Sequence, residues 1–332
     1  MHHPRMRALF FLVCLFILTP RPAAAQVFQL PLDCAVGSTC IVQNYADWQT
    51  GPGARDPMCG PLTYDGHDGL DFRAPLALAA RGVAVLAPAA GVVRGVRDGE
   101  PDGAYVRGGM AAIAGRDCGN GVVIDHGEGW QSQVCHMRAG TLQVRAGDRV
   151  SAGQRLGLVG LSGHTEFPHV HLAVRRNGAT LDPLTGNAIG TGGCGANAVR
   201  PAAYWTPAAR TALAYRGSLW FAAGFTGTAP GEGANAEALP ANAARRSAAL
   251  VFWALASGPR NGDVLRVRLY GPDGALVAEG TRTQPRDQAQ AWLFAGRRTP
   301  PAGWAAGNYR GVAEIVRGGR VVQARTETIT LR

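Results

Sequence analysis

The chain contains no lysine: all 33 of its basic residues are arginine. That absence excludes a lysine nucleophile, a Schiff base and any cofactor carried on a lysine amine. Long apolar runs are also missing, because the clearest one, Ala8 to Leu18, is too short to span a bilayer. No transmembrane segment is therefore expected in the mature chain. No C-x-x-C pair occurs, which removes the usual spacing of a thiolate zinc site. From Ser218 onward there is neither cysteine nor histidine. No chemistry is expected there, and support or binding is the task left to it.

The apolar run belongs to an N-terminal pattern. Arg5 and Arg7 precede it, Pro20 breaks it, and Ala23-Ala24-Ala25 offers a cleavage site before Gln26. Residues 1–25 thus read as a secretory signal, cleaved after Ala25, and the mature protein is expected to be periplasmic or secreted. Cys14 leaves with the signal, and Cys34, Cys40, Cys59, Cys118, Cys135 and Cys194 remain. An even number of cysteines in an exported chain predicts disulfides throughout; the alternative is a set of inert buried thiols. Cys34 and Cys40 are spaced for a short loop, while the other pairings stay open. The formal charge of +10 falls to +7 once Arg5, Arg7 and Arg21 are removed. Such a chain is attracted to anionic cell-envelope polymers or lipid headgroups. Nucleic acid fits poorly, because the arginines are scattered and export removes the target.

From Val83 to about Thr180, β-type runs alternate with glycine-rich turns: Val83–Leu86, Gly91–Val96, Gly121–His126, Gln131–Met137, Gln154–Val159 and His169–Arg175. This predicts antiparallel β structure without an amphipathic helix. A turn-rich segment, Gly186 to Pro207, follows, and a second set of about seven strands starts near Ser218. Leu265, Val267 and Leu269 alternate there with Arg266, Arg268 and Tyr270. The expectation is a mainly β chain: an N-terminal segment over 26–56, a first domain over 57–207, and an immunoglobulin-like β-sandwich over 215–332.

The histidines carry the chemistry. His169-Val170-His171 places two imidazoles on one face of a strand, since strand side chains repeat every two residues. His67 and Asp71 form an earlier pair, and His136 ends an apolar run. Two imidazoles and one carboxylate leave a fourth zinc position open, as in catalytic zinc sites.

These residues, in this order, resemble the M23 metallopeptidases, the family of lysostaphin and the LytM-type cell-wall endopeptidases. The H-x-x-x-D motif matches His67 and Asp71; the H-G turn and histidine-ended strand match His126-Gly127 and His136; H-x-H matches His169 and His171. Val144 to Gln154 is similar to the family's V-x-x-G-D-x-V-x-x-G-Q stretch. The resemblance covers about a third of the chain, Gly66 to Pro183. It implies one zinc ion per chain held by His67, Asp71 and His171, with His136 and His169 as the catalytic pair. It further implies a LytM-type antiparallel β fold, related to the barrel-sandwich hybrid, and an endopeptidase acting on peptidoglycan cross-links or stems.

The chain departs from the family's common pattern in three places. Thr165-Glu166-Phe167-Pro168 replaces Ser-Thr-Gly-Pro, Val134 stands where an aromatic residue is frequent, and Ala173 stands where glutamate is frequent. These bear on substrate preference and spare the proposed ligands. His126 is expected in a turn or behind the site, His164 in a loop bordering the cleft, Tyr64 and Asn120 near the site, and Cys135 on the strand face opposite His136. The rival functions are a zinc endopeptidase acting on proteins and a non-catalytic LytM-type activator of cell-wall amidases. The complete ligand set opposes the activator. A biotinyl or lipoyl carrier is excluded by the missing lysine.

Overall fold

Short runs rich in valine, isoleucine, leucine and aromatics, divided by glycine turns, form strands as expected. The computed structural model describes residues 27–190, 193–195, 199–231 and 234–332. The expected secretory signal over 1–25 lies outside them. In chain order the first strands are β1 (Ile41–Asn44), β2 (Leu70–Arg73), β3 (Ala84–Leu86), β4 (Gly91–Arg97), β5 (Asn120–Gly127), β6 (Trp130–Met137), β7 (Arg149–Val150), β8 (Arg155–Leu158), β9 (His169–Arg176) and β10 (Ala179–Leu181). Eight of them form one sheet in the order β1-β2-β9-β6-β5-β4-β7, with β10 against β9; β3 and β8 pair separately. Every pairing is antiparallel.

The middle of this sheet positions the ligand-type residues. Its residues are buried on both faces, Leu70, Phe72, Val134, Val170 and Leu172 fully so. The β2–β9 register sets Asp71 opposite His171 and Arg73 opposite His169, and the β6–β9 register sets Cys135 opposite His171. The N-terminal segment is built into the fold. Its β1 is the edge strand beside β2, and Phe28 packs among His126, Trp130, Tyr204 and Trp205.

One expectation about the elements fails. A helix, α2 (Ala104–Ile113), follows the short α1 (Leu76–Arg81) inside the stretch read as all β. It breaks at Gly109, where φ is 63°, and buries only Ala104 and Ile113. Two adjacent glycines and so few buried positions leave no apolar period to detect. A third helix, α3 (Pro207–Ala212), starts at Thr206, whose side chain accepts from the Ala209 amide. Among the described residues no helix is long and apolar enough to cross a membrane.

The C-terminal part has seven strands among the described residues: β11 (Leu219–Thr226), β12 (Ala249–Ser257), β13 (Val264–Tyr270), β14 (Leu276–Thr283), β15 (Gln290–Arg298), β16 (Gly307–Arg317) and β17 (Arg320–Leu331). They form two antiparallel sheets, β11-β12-β15 and β14-β13-β16-β17. Leu250, Phe252, Leu265, Val267, Leu269, Tyr309 and Ile315 share the core between them. The expected alternation holds in β13, where Leu265, Val267 and Leu269 are buried and their neighbours are not. Strand β12 is buried throughout, because its second face packs with Ile41, Phe221 and Ala236.

That second cluster joins the two parts. Beside it Arg73 is buried, pairs with Glu237, donates to Gln43 and Gln290, and lies against the rings of Phe167 and Phe221. Among the described residues three disulfides form: Cys34–Cys40, Cys59–Cys194 and Cys118–Cys135. The first is the short loop expected from spacing.

Candidate metal centre

Strands β2 and β9 bring Asp71 and His171 together, and the turn before β2 adds His67. The His67 Nε2 and His171 Nδ1 atoms lie 3.1 Å apart, and Asp71 Oδ1 lies 3.1 Å from the first and 3.0 Å from the second. The outer atoms of the rings decide what these inner ones are. His67 Nδ1 donates to the Tyr45 carbonyl at 2.6 Å, so its Nε2 lone pair faces inward. His171 Nε2 faces the Asp68 carboxylate at 3.1 Å, which turns its Nδ1 inward. Asn44 Nδ2 donates to Asp71 Oδ2 at 2.9 Å and fixes the carboxylate. Three electron-rich atoms thus converge on one point, an arrangement that a divalent cation satisfies. Ligands at zinc bond lengths of about 2.0–2.1 Å stand roughly 3.3 Å apart in a tetrahedron, close to the spacings observed.

The charge states agree. Burial pushes the Asp71 carboxyl up, but His67, His169 and His171 outweigh it and hold it well below the usual carboxylate range. Burial pushes His171 down, yet hydrogen bonds and attraction from Asp68 and Asp71 prevail and raise it to about 9. The contact with His171 holds Asp68 below its ordinary value. A proton on His171 marks where the site favours positive charge.

The other two histidines flank this group. His136 Nδ1 donates to the Ser162 carbonyl at 2.8 Å, leaving Nε2 bare toward the cleft. Burial, reinforced by His169 and His171, lowers its pKa well below the ordinary value, so it is neutral at neutral pH. His169 Nδ1 donates to the Phe167 carbonyl, 3.0 Å away, with Thr165 Oγ1 also at 3.0 Å. Its Nε2 is 3.4 Å from Asp71 Oδ1, and its ring centre is 4.5 Å from that of His136.

Cys135 departs from the expected placement. It shares a strand face with His171, its register partner, and it lines the cleft with His136. Strict alternation would put His136 on the other face, but a φ of 63° at His136 turns that ring to the same side. The Cys118–Cys135 disulfide is accordingly part of the cleft wall.

Two cavities meet along the site. One of about 210 Å³ is lined by Asp68, Asp117, Cys135, His136 and His171. The other, of about 410 Å³, is lined by Asn44, Tyr105, Phe167, His169 and Gln290 among others. Tyr64 and His164 border both, as expected of site neighbours. Asn120 is buried behind the wall, bonding Glu100 and the Met137 carbonyl. His126 contacts the Ala90 carbonyl and the Ser132 hydroxyl, and lines neither cavity. Asn44, Tyr45, Ser162 and Gln290 were not legible from the sequence. Asp68 carried a signal, a carboxylate next to His67.

Comparison with known proteins follows the same residues. Residues 65–183 match the sequence profile of peptidase family M23. The chain is 32% identical over 140 residues to an uncharacterized metalloprotease of Haemophilus influenzae, covering 42% of this chain and 24% of that protein. It is 35% identical over 69 residues to the peptidoglycan DD-endopeptidase ShyA of Vibrio cholerae, covering 21% of this chain and 16% of that protein. The chain thus spans about a quarter or less of these curated relatives' own length. A zinc-containing peptidase from Vibrio cholerae is similar at 23% identity and a TM-score of 0.28, over 42% of this chain and 38% of that one.

Proposed function

We propose, on the match of residues 65–183 to peptidase family M23, that the chain is an exported zinc endopeptidase that hydrolyses peptide bonds in peptidoglycan cross-links or stems. The observation that carries this reading is the convergence of His67 Nε2, Asp71 Oδ1 and His171 Nδ1 within 3.1 Å of one another. Zinc held there would polarise the scissile carbonyl and acidify a water, the chemistry that an open fourth position allows.

The chain's own residues divide the proton transfers. His136, neutral and with Nε2 bare, takes a proton from the attacking water as general base. His169, held at Nδ1 by the Phe167 carbonyl, turns Nε2 toward the carbonyl oxygen and, as an imidazolium, donates to it as it gains negative charge, while the proton that His136 took from water passes to the leaving amine. The buried walls keep both rings in place, while the two cavities leave room for chain on either side of the bond.

The same reading places a catalytic domain over 57–207 and an immunoglobulin-like sandwich over 215–332; the seven strands in two sheets with one core support the latter. Three disulfides support a periplasmic or secreted location. The net positive charge suits anionic cell-envelope polymers.

Digestion of purified sacculi with mass analysis of the released fragments tests the proposal. The mature protein should carry close to one zinc, which His67→Ala or His171→Ala should lose, while His169→Ala keeps zinc and abolishes hydrolysis. Full activity of His169→Ala would overturn the assignment of roles. Absence of cleavage together with stimulation of an added amidase would favour the activator, and cleavage of casein but not sacculi would favour an ordinary protease.

A further inference from the structure

We propose that the outer face of β15 is a glycan-binding track that carries the candidate cleft onto the C-terminal sheets. The inference rests on the cell-wall peptidase reading and adds a ligand site to it. Its starting point is Gln290, which lines the larger cavity together with Phe167 and His169 and also accepts from Arg73. The β12–β15 register is regular from Ser257↔Gln290 to Ala249↔Arg298. Side chains therefore alternate without a slip, and Gln290, Trp292, Phe294 and Arg298 share one face. At about 3.3 Å per residue, Trp292 stands roughly 7 Å and Phe294 roughly 13 Å from Gln290 along the strand.

The composition of this row points to a sugar polymer. The Trp292 and Phe294 rings are stacked, with centroids 5.4 Å apart and planes 29° from parallel. They form one continuous aromatic surface, and Phe294 is 41% exposed, while Trp292 is partly covered at the edge of the cluster that joins the two parts of the chain. A pyranose ring has apolar C–H faces and a hydroxyl edge, so it packs on such rings while amide and guanidinium groups meet its polar rim. Here Gln290 stands at one end of the row and Arg298 at the other.

A second copy of the chain is a poor occupant. Stable interfaces cover about 800 Å² per partner, whereas even fully buried aromatic side chains supply about 150–250 Å² each. Continuity with the cleft gives the track its purpose: the peptide lies between Asn44, Tyr64 and Phe167 while the glycan that bears it follows β15.

The test uses the mature full-length chain and three probes: peptide-free glycan strands, whole sacculi, and a soluble sugar-free cross-linked peptide. Phe294→Ala should weaken retention on peptide-free glycan about tenfold, equivalent to about 1.4 kcal/mol, and slow cleavage of sacculi. Cleavage of the sugar-free peptide should be unchanged, and Phe294→Tyr should restore glycan retention. Equal retention of wild type and Phe294→Ala on glycan would overturn the track. So would a dimer, or binding to anionic phospholipid vesicles, that Phe294→Ala abolishes while glycan retention persists. If the zinc-loaded wild type cleaves neither sacculi nor peptide, the peptidase reading falls, and glycan retention still decides the track by itself.

Discussion

His171 is held between two carboxylates, and that placement sets how the site responds to pH and to substitution. Its pKa is raised to about 9, so below that pH the metal-free protein carries a proton that zinc must displace. Apparent zinc affinity should therefore fall about tenfold per unit as pH drops below 9. Calorimetry in buffers of different ionisation enthalpy should register release of close to one proton at pH 7; no release would contradict the assignment. Asp68 stands 3.1 Å from His171 Nε2 without reaching the metal point itself. Asp68→Asn should weaken zinc binding by about 10–100-fold, read by competition with a chelating dye, and restore activity at saturating zinc. The residue types and their spacing made the five histidine and aspartate positions legible. Their supports were not, because Tyr45 and Ser162 act through backbone carbonyls, which carry no sequence signature.

Strand geometry explains both the readings that held and the one that failed around Cys135. Alternation located the H-x-H face and the buried row of β13, since both depend only on a local period of two. At His136 the left-handed backbone interrupts that period, and Cys135 joins the cleft. Helix α2 escaped for the opposite reason: a helix that buries two of its residues need not have an apolar stripe. Close packing of elements also limits change. A Cβ at Gly160 would lie 2.3 Å from the Arg138 amide nitrogen, beside the Gly160 amide bond to the His136 carbonyl. Gly160→Ala should cost about 1–3 kcal/mol by overpacking, visible as a lowered Tm, and should reduce hydrolysis further by displacing His136. The Cys118–Cys135 bridge closes a span of 17 residues at the same wall. Replacing both cysteines by alanine should remove about 3 kcal/mol in denaturant titration.

Arg73 connects the candidate centre with the C-terminal sheets. It shares β2 with Asp71 and sits opposite His169, yet its charge is balanced by Glu237, 164 residues further along the chain. Burial lowers the guanidinium pKa, and the nearby Glu237 carboxylate opposes that effect. Glu237→Ala leaves the cation unpaired and should destabilise the protein by about 3–5 kcal/mol in thermal unfolding. The double variant Arg73→Met with Glu237→Leu should recover most of that loss, because the pair is replaced by apolar volume. Activity of the double variant should be lower than its stability implies if Arg73 also steadies Phe167 and His169.

The sequence by itself determined the strand-rich class and the family's motifs, and it carried the residue types and spacings from which the candidate site is built, because each rests on local spacing or residue chemistry. Only the tertiary structure decided which nitrogen of each imidazole faces inward, that Cys135 lines the cleft, and that Gln290 from the C-terminal sheets borders the same cavity as His169. These depend on contacts between residues distant in the chain, where register, a single left-handed residue and one buried ion pair fix what no local pattern encodes.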